Sequence, residues 1–407
     1  MTGYCLRILA FDSLTDVDVR AELARLGVDA ADIGQVQRGV TWRVLCVEDV
    51  ADAEAAVLAV ASAAAGSRFV RAAEAAKPGG SRRPALLAGT SAQYDLLVAR
   101  LKEHSAEAAV LADHIDRTLR AFEGVASVPW VCRSKRIAID SHTVIMGIVN
   151  LTEDSFSGDG LGGQVDAAVQ RGLEFLKAGA EILDLGAEST RPGSLPVPAD
   201  QEIARLAPVV RELVAATDVP ISVDTQKPEV ARVALELGAS IVNDISGLRS
   251  PGMIETVAEY GAGAVIMHML GEPRTMQVAP HYDNLMGKVF SFLTERLEAA
   301  VEAGIEEEAL AVDPGFGFGK TVNHNLEILR RLRELHSLGR PVVLGTSRKS
   351  TIGKVLGRPP EERLMGTAAT CALGIANGAH VLRVHDVPEM VQVAAMTDAV
   401  LRGWDQE

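Results

Sequence analysis

The sequence predicts a (β/α)8 barrel of the α/β class preceded by a smaller α+β domain, and three observations carry that prediction. Through residues 126–407, short apolar runs of strand length alternate with helical runs, eight times over about 260 residues, which fits a closed parallel barrel better than the alternative open doubly wound sheet. Each apolar run gives way at its C-terminal end to polar or charged residues, on the face where sites in such barrels are built. Residues 1–125 follow a different grammar, with mixed strands and helices and no such strand-end residues, and read as an accessory domain of unreadable role.

Composition bounds the possibilities. At 407 residues and 48% hydrophobic content the chain buries a large core in two domains. A formal charge of −14 excludes a nucleic-acid partner, which would need a basic face, but leaves room for small anions held by a local arginine cluster. Cys5, Cys46, Cys132 and Cys371 lack metal-like spacing and read as thiols of a reducing compartment. With no leader pattern and no apolar run of spanning length, a cytoplasmic location without membrane attachment is expected.

Taken in order, residues 6–11 read as a strand, 16–26 as a helix closed by Gly27, 42–47 as a second strand and 51–65 as an alanine-rich helix. Residues 77–84, rich in Pro, Gly and charge, read as a linker in which Arg82 and Arg83 form a solvated pair. A strand at 86–89 and helices at 92–103 and 106–122 follow, and His104 and His114 have no matching His or Cys partner at i+3 or i+4. Residues 131–139 read as a hairpin arm before the first barrel strand. The eight barrel strands are expected at 144–150, 182–186, 221–224, 241–245, 264–269, 310–313, 342–345 and 381–384, with helices at 164–178, 200–217, 228–237, 285–303 and 324–335.

The strand ends carry Asn150, Glu188 to Arg191, Asp224, Asn243 with Asp244, His268, Asp313, Ser347 to Lys349, and Arg383 with His385. One buried polar group at a strand end is most often a satisfied structural residue; eight in succession are not explained that way. Asp224, Asp313 and Asn243 supply acceptors from three strands, which suits a flat heterocycle rich in N–H donors such as an aminopyrimidinone, and Lys349 adds a charged donor. Arg191, Arg383 and His385 are anion holders, and strand alternation points 383 and 385 the same way. Asn150 can give an oxygen to magnesium, whose other ligands are typically water and phosphate oxygens. A heterocycle site beside a diphosphate site is implied. The run DPGFGFGK at 313–320 lacks the spacing of a nucleotide-binding loop and reads as a tight turn whose glycines admit a ligand while Phe316 or Phe318 packs on a ring.

Eight ordered segments, NLTEDSFSGDG, GAESTRPGS, SVDTQKPEVA, IVNDIS, MHMLGEPRTMQ, DPGFGFGK, GTSRKSTIG and RVHDV, resemble dihydropteroate synthase across about residues 135–403. The resemblance implies condensation of 6-hydroxymethyl-7,8-dihydropterin diphosphate with p-aminobenzoate, Mg2+, a homodimer and sensitivity to sulfonamides. Carried over by position, it implies pterin contacts at Asp224, Asn243, Asp313 and Lys349, of which Asp224, Lys349 and Asp313 are catalytic. It implies diphosphate contacts at Asn150, Arg191, Arg383 and His385, the metal at Asn150, and p-aminobenzoate contacts at Thr190, Pro192, Phe318 and Ser347. Residues 151–163 and 187–199 would be its mobile loops. Glu153 stands where the family usually has proline, which loosens that turn. Rival expectations are a non-catalytic pterin-binding paralogue, a barrel resembling methyltetrahydrofolate:corrinoid methyltransferases, which has no diphosphate to hold, and a ribosylated acceptor in place of p-aminobenzoate.

Overall fold

The computed structural model describes residues 29–73, 82–124, 129–151, 160–188, 197–272 and 275–404. The chain divides into two compact units, Met1–Arg120 and Ala121–Glu407. The expected strand at 6–11, the helix at 16–26 and most of the expected linker at 77–84 lie outside the described residues.

In the first unit, β1 (Trp42–Ala51), β2 (Arg68–Arg71) and β3 (Arg82–Thr90) form an antiparallel sheet in the order β1-β3-β2. Helices Asp52–Ala65, Ser91–His104 and Ala106–Gly124 contribute Leu58, Leu97, Leu101 and Ile115 to one core with Leu87 of the sheet. Thr90 starts its helix with a capping box: its hydroxyl accepts from the Gln93 backbone N–H at 3.3 Å, and the Gln93 side-chain oxygen Oε1 accepts from the Thr90 N–H at 2.8 Å. Arg82 and Arg83 correct the expectation of a solvated loop. They open β3, where Arg82 pairs with Asp49 and Glu54, and Arg83 with Asp52. The sequence reading passed over β2 and the helix Ala30–Val40, the first only four residues long and the second interrupted by Gly34 and Gly39.

The second unit begins with β4 (Trp130–Cys132) and β5 (Lys135–Ile137), which pair with each other rather than serving as an arm for the next strand. Eight parallel strands follow: β6 (Val144–Asn150), β7 (Ile182–Gly186), β8 (Ile221–Asp224), β9 (Ile241–Asp244), β10 (Gly263–Met267), β11 (Leu310–Asp313), β12 (Val343–Leu344) and β13 (Val381–Val384). They run in the order β11-β10-β9-β8-β7-β6-β13-β12, and a parallel bridge between Val312 and Val342 closes the ring. Three strands end earlier than expected. At β9 the reason is visible: the Asp244 carboxylate takes the N–H groups of Ser246 at 2.7 Å and Leu248 at 3.0 Å and bends the chain out of the ladder.

Alternation along the strands layers the interior. Met146, Ile182, Ile241, Val265, Ala311, Val343 and Val381 fill the lower barrel, and the hairpin residues Trp130, Cys132 and Ile137 pack beneath them. Trp130 donates its indole N–H to the Ala309 carbonyl at 2.9 Å. Two residues further along each strand, the same inward direction brings Asp184, Asn243, Asp313 and Arg383 to the upper end.

His336 and His380 lie ring to ring, 4.8 Å apart, both buried. Nε2 of His336 donates to the Gly378 carbonyl at 2.8 Å, and Nδ1 of His380 accepts the Val342 N–H at 3.0 Å. Burial pushes His336 down to about 4 and His380 to about 3, from an ordinary value of 6.5. The stability they contribute is therefore complete above pH 6.5 and lost as pH falls toward those values, because the unfolded chain takes up the protons first. Buried aspartates work the other way over part of this window, so the variant His336→Gln isolates the effect. Its urea unfolding free energy is expected to fall less steeply between about pH 6 and about pH 4, by up to about 1.4 kcal/mol per pH unit. Parallel pH profiles for the two proteins would contradict this.

Candidate active site

The polar layer is organised by Arg383. Its Nε donates to Asp184 Oδ2 at 2.6 Å and its Nη2 to Asp224 Oδ2 at 2.6 Å, so β13 is tied to β7 and β8 across the top of the barrel. Asp184 also accepts from Ser222 Oγ at 2.6 Å and from Asn243 Nδ2 at 3.2 Å, which orients that amide with its oxygen left for a ligand. Asp224 Oδ1 is buried and has no partner among the described residues. A buried acceptor without a donor is costly; this one sits where the sequence expects a ring N–H.

The charges are mutually tuned. Burial pushes Asp224 up to about 7 against the pull of Arg383, and burial also raises Asp313, opposed by the Gly315 N–H that donates to it at 2.6 Å. Burial, reinforced by Arg383, brings Lys349 down to about 8. Burial works against the charge on Arg383, yet Asp184 and Asp224 together hold its guanidinium above the ordinary value. Burial and then Arg383 depress His385 to about 3, so this imidazole offers a neutral N–H rather than a positive charge. By residue type Asp224 belongs with the heterocycle group and Arg383 with the anion group; the structure joins them with Asp184 in one ion triad.

The loop after β11 is built around a cation. Lys320 is buried, with Nζ 2.9 Å from His268 Nδ1, and donates to the carbonyls of Gly315 and Phe318, each at 3.0 Å. Burial lowers Lys320 to about 7, with Asp313 pulling it back up. Gly315, at φ +71°, could not be another residue: a Cβ there would lie 1.8 Å from the His268 carbonyl oxygen. Of the two phenylalanines, Phe316 belongs to the core, whereas Phe318 has the Lys349 ammonium 4.0 Å from its ring centroid. Only Phe318 reaches the site. Ser347 Oγ accepts the His385 N–H at 3.2 Å and lies 3.0 Å from His385 Nδ1, joining the loops after β12 and β13.

Asp224, Asn243, Asp313, Lys349, Arg383, Phe318, Ser347 and His385 thus line one end of one barrel. Asn150 ends β6, half-buried, beside Gly186 of β7. Thr190, Arg191 and Pro192, and Glu153 with the rest of 152–159, lie outside the described residues. Among the described residues no group of three or more His, Cys, Asp or Glu gathers to hold a metal. A single amide oxygen such as that of Asn150 suits an ion whose remaining ligands come from water and substrate phosphate.

Three features escaped the sequence reading. Asp184 lies mid-strand rather than at a strand end; alternation from Ile182 could have found it. Lys320 matches no nucleotide-loop spacing, and nothing else in the sequence marks it as a buried cation. Lys227 bridges Glu188 at 2.6 Å and Glu202 at 2.5 Å, while Glu188 also accepts the Val197 N–H at 3.0 Å, so one carboxylate joins Lys227 to Val197.

Comparison with known proteins agrees with this geometry. The pattern of the pterin binding enzyme family matches residues 146–385. The dihydropteroate synthase of Escherichia coli K12 is 45% identical over 261 residues, covering 64% of this chain and 93% of that protein. The structure of Yersinia pestis dihydropteroate synthase with a sulfonamide drug complex superposes with a TM-score of 0.64 at 40% identity, covering 67% of this chain and 98% of that one. Xanthomonas albilineans dihydropteroate synthase with 4-aminobenzoic acid gives 0.63 at 45% identity, with the same coverage.

Proposed function

We infer the chemistry from one premise: the chain belongs to the pterin-binding enzymes and, within them, to the dihydropteroate synthases. It joins 6-hydroxymethyl-7,8-dihydropterin diphosphate to p-aminobenzoate, giving 7,8-dihydropteroate and diphosphate. The observation that carries the reading at the level of residues is Asp224 Oδ1, a buried acceptor with no partner among the described residues. The N–H groups of an aminopyrimidinone edge satisfy it, with Asp313 and the Asn243 oxygen accepting and Lys349 donating.

The pterin methylene carries the leaving diphosphate. As its C–O bond breaks, positive charge develops on the pterin and negative charge on the departing group; the amine nitrogen of p-aminobenzoate then forms the new C–N bond and gives up a proton. Asp224 and Asp313 favour the cationic pterin. Arg383, through the guanidinium nitrogen its two carboxylates leave over, and His385, through an N–H, favour the diphosphate, together with Arg191. Phe318 and Ser347, with Thr190 and Pro192, receive the arylamine, and the ring face of Phe318 beside Lys349 is suited to stacking. Asn150 would hold Mg2+, which when bound supplies charge to stabilise diphosphate oxygens. No side chain need act as a nucleophile.

A homodimer is part of this reading. Met365 and Leu373 on the helix Leu364–Ala376, and Met396 and Val400 on Val387–Arg402, are exposed large hydrophobics on adjacent helices, supporting a self-association face. No helix among the described residues is long and apolar enough to cross a membrane, in keeping with a cytoplasmic enzyme; sulfonamides would compete where p-aminobenzoate binds.

The test is direct. Purified protein incubated with the pterin diphosphate, magnesium and p-aminobenzoate is expected to release diphosphate and form dihydropteroate. Release with a ribosylated arylamine alone would reassign the acceptor, and no release with any arylamine would favour a non-catalytic pterin binder.

A further inference from the structure

We propose that Arg348 and Asp386 form a positioning pair that holds Ser347 against His385 at the acceptor end of the site. Arg348 lies between Ser347 and Lys349 in the left-handed region, at φ +58°, which side chains other than glycine seldom adopt. Strain of this kind persists only where the surroundings over-determine it, and here they do. The Arg348 N–H donates to Thr367 Oγ1 at 3.1 Å, and its carbonyl accepts from Arg363 Nη1 at 2.9 Å. Its guanidinium grips Asp386 through both carboxylate oxygens, with Nε to Oδ2 at 3.0 Å and Nη2 to Oδ1.

Asp386 is also out of the ordinary. It stands at the N-cap of the helix Val387–Arg402, where an aspartate usually accepts a helix N–H, and its side chain makes no such bond. That carboxylate is turned to Arg348 instead. The Arg348–Asp386 and Ser347–His385 contacts are therefore parallel rungs between the loops after β12 and β13, one residue apart on each side. Neither Arg348 nor Asp386 need touch substrate. The inference rests on the reading of Ser347 and His385 as acceptor and diphosphate contacts.

Four variants test it, each assayed for kcat, for KM of p-aminobenzoate, for thermal stability and for affinity by titration with 6-hydroxymethylpterin. Arg348→Gly keeps the left-handed turn, and with it Lys349, but removes the rung. It is expected to leave pterin affinity unchanged while kcat/KM for p-aminobenzoate falls about 10- to 100-fold. Asp386→Asn is expected to match it, and the double variant to be no worse than either single one. Arg348→Ala, which keeps the strain of the left-handed turn but not the rung that holds it, is expected to lose pterin affinity as well. Normal kinetics in Asp386→Asn beside an impaired Arg348→Gly would mean that Arg348 acts on substrate directly and would overturn the pair. So would a drop in melting temperature with unchanged kcat and KM. Ser347→Ala is run alongside: normal KM there sinks the acceptor-site reading and this inference together, whereas impairment there with normal Arg348→Gly and Asp386→Asn sinks the inference alone.

Discussion

Replacing Lys349 with alanine is expected to leave a folded barrel whose turnover is about 10²- to 10³-fold lower, and Asp224→Ala to reach a similar loss by another route. Lys349 is a half-buried ammonium over the ring of Phe318, within the field of the carboxylates of Asp313 and Asp224. Removing it deletes the charged donor proposed to face the pterin and leaves the negative charges less compensated. Asp224→Ala deletes the unpartnered acceptor that would receive a ring N–H, and frees one arm of Arg383, which keeps Asp184. Circular dichroism together with product formation separates folding from activity. Near-normal turnover in either variant would remove that residue from the proposed catalytic set.

Arg383→Met is expected to cost more in stability than either. It strips the shared partner from Asp184 and Asp224, both buried, and breaking such a pair from one side typically costs about 3–5 kcal/mol. The pH dependence identifies the cause. Burial already lifts Asp224 to about 7, and without the guanidinium it rises further. A carboxyl raised above its unfolded value of 3.8 contributes stability below that value and loses it as pH rises through the folded one. The variant should therefore be closer to wild type at about pH 6 than at about pH 8 in urea unfolding, and Asp184→Asn added to it should restore part of the loss. A deficit independent of pH would show that packing rather than charge is responsible.

The strands, and the gathering of most candidate site residues at one end, were legible because a barrel opens its strand ends on a fixed face. An apolar run stopping at Asp224, Asp313 or Arg383 declares both a strand and the face on which it opens. What could not be read in that way falls into three kinds. Asp184 sits inside ILDLG, where an end-of-strand rule does not look, and its importance lies in pairing with Arg383 almost two hundred positions away. The helix Leu364–Ala376 is apolar on nearly all sides, so no amphipathic period marks it, and Ser350–Leu356 is too short to show one. Lys320 illustrates a third limit: sequence spacing says whether a lysine matches a known loop, not whether the loop folds around it.

The hairpin beneath the barrel also gives the protein an optical handle. The chain has three tryptophans, Trp42, Trp130 and Trp404; the first and last are more than half exposed, and Trp130 is wholly buried. Emission that is blue-shifted and shielded from an aqueous quencher therefore comes from one indole, bonded to Ala309 just ahead of β11. Its red shift on denaturation reports the opening of the barrel floor, while the first unit's Trp42 and the C-terminal Trp404 contribute a solvent-like background.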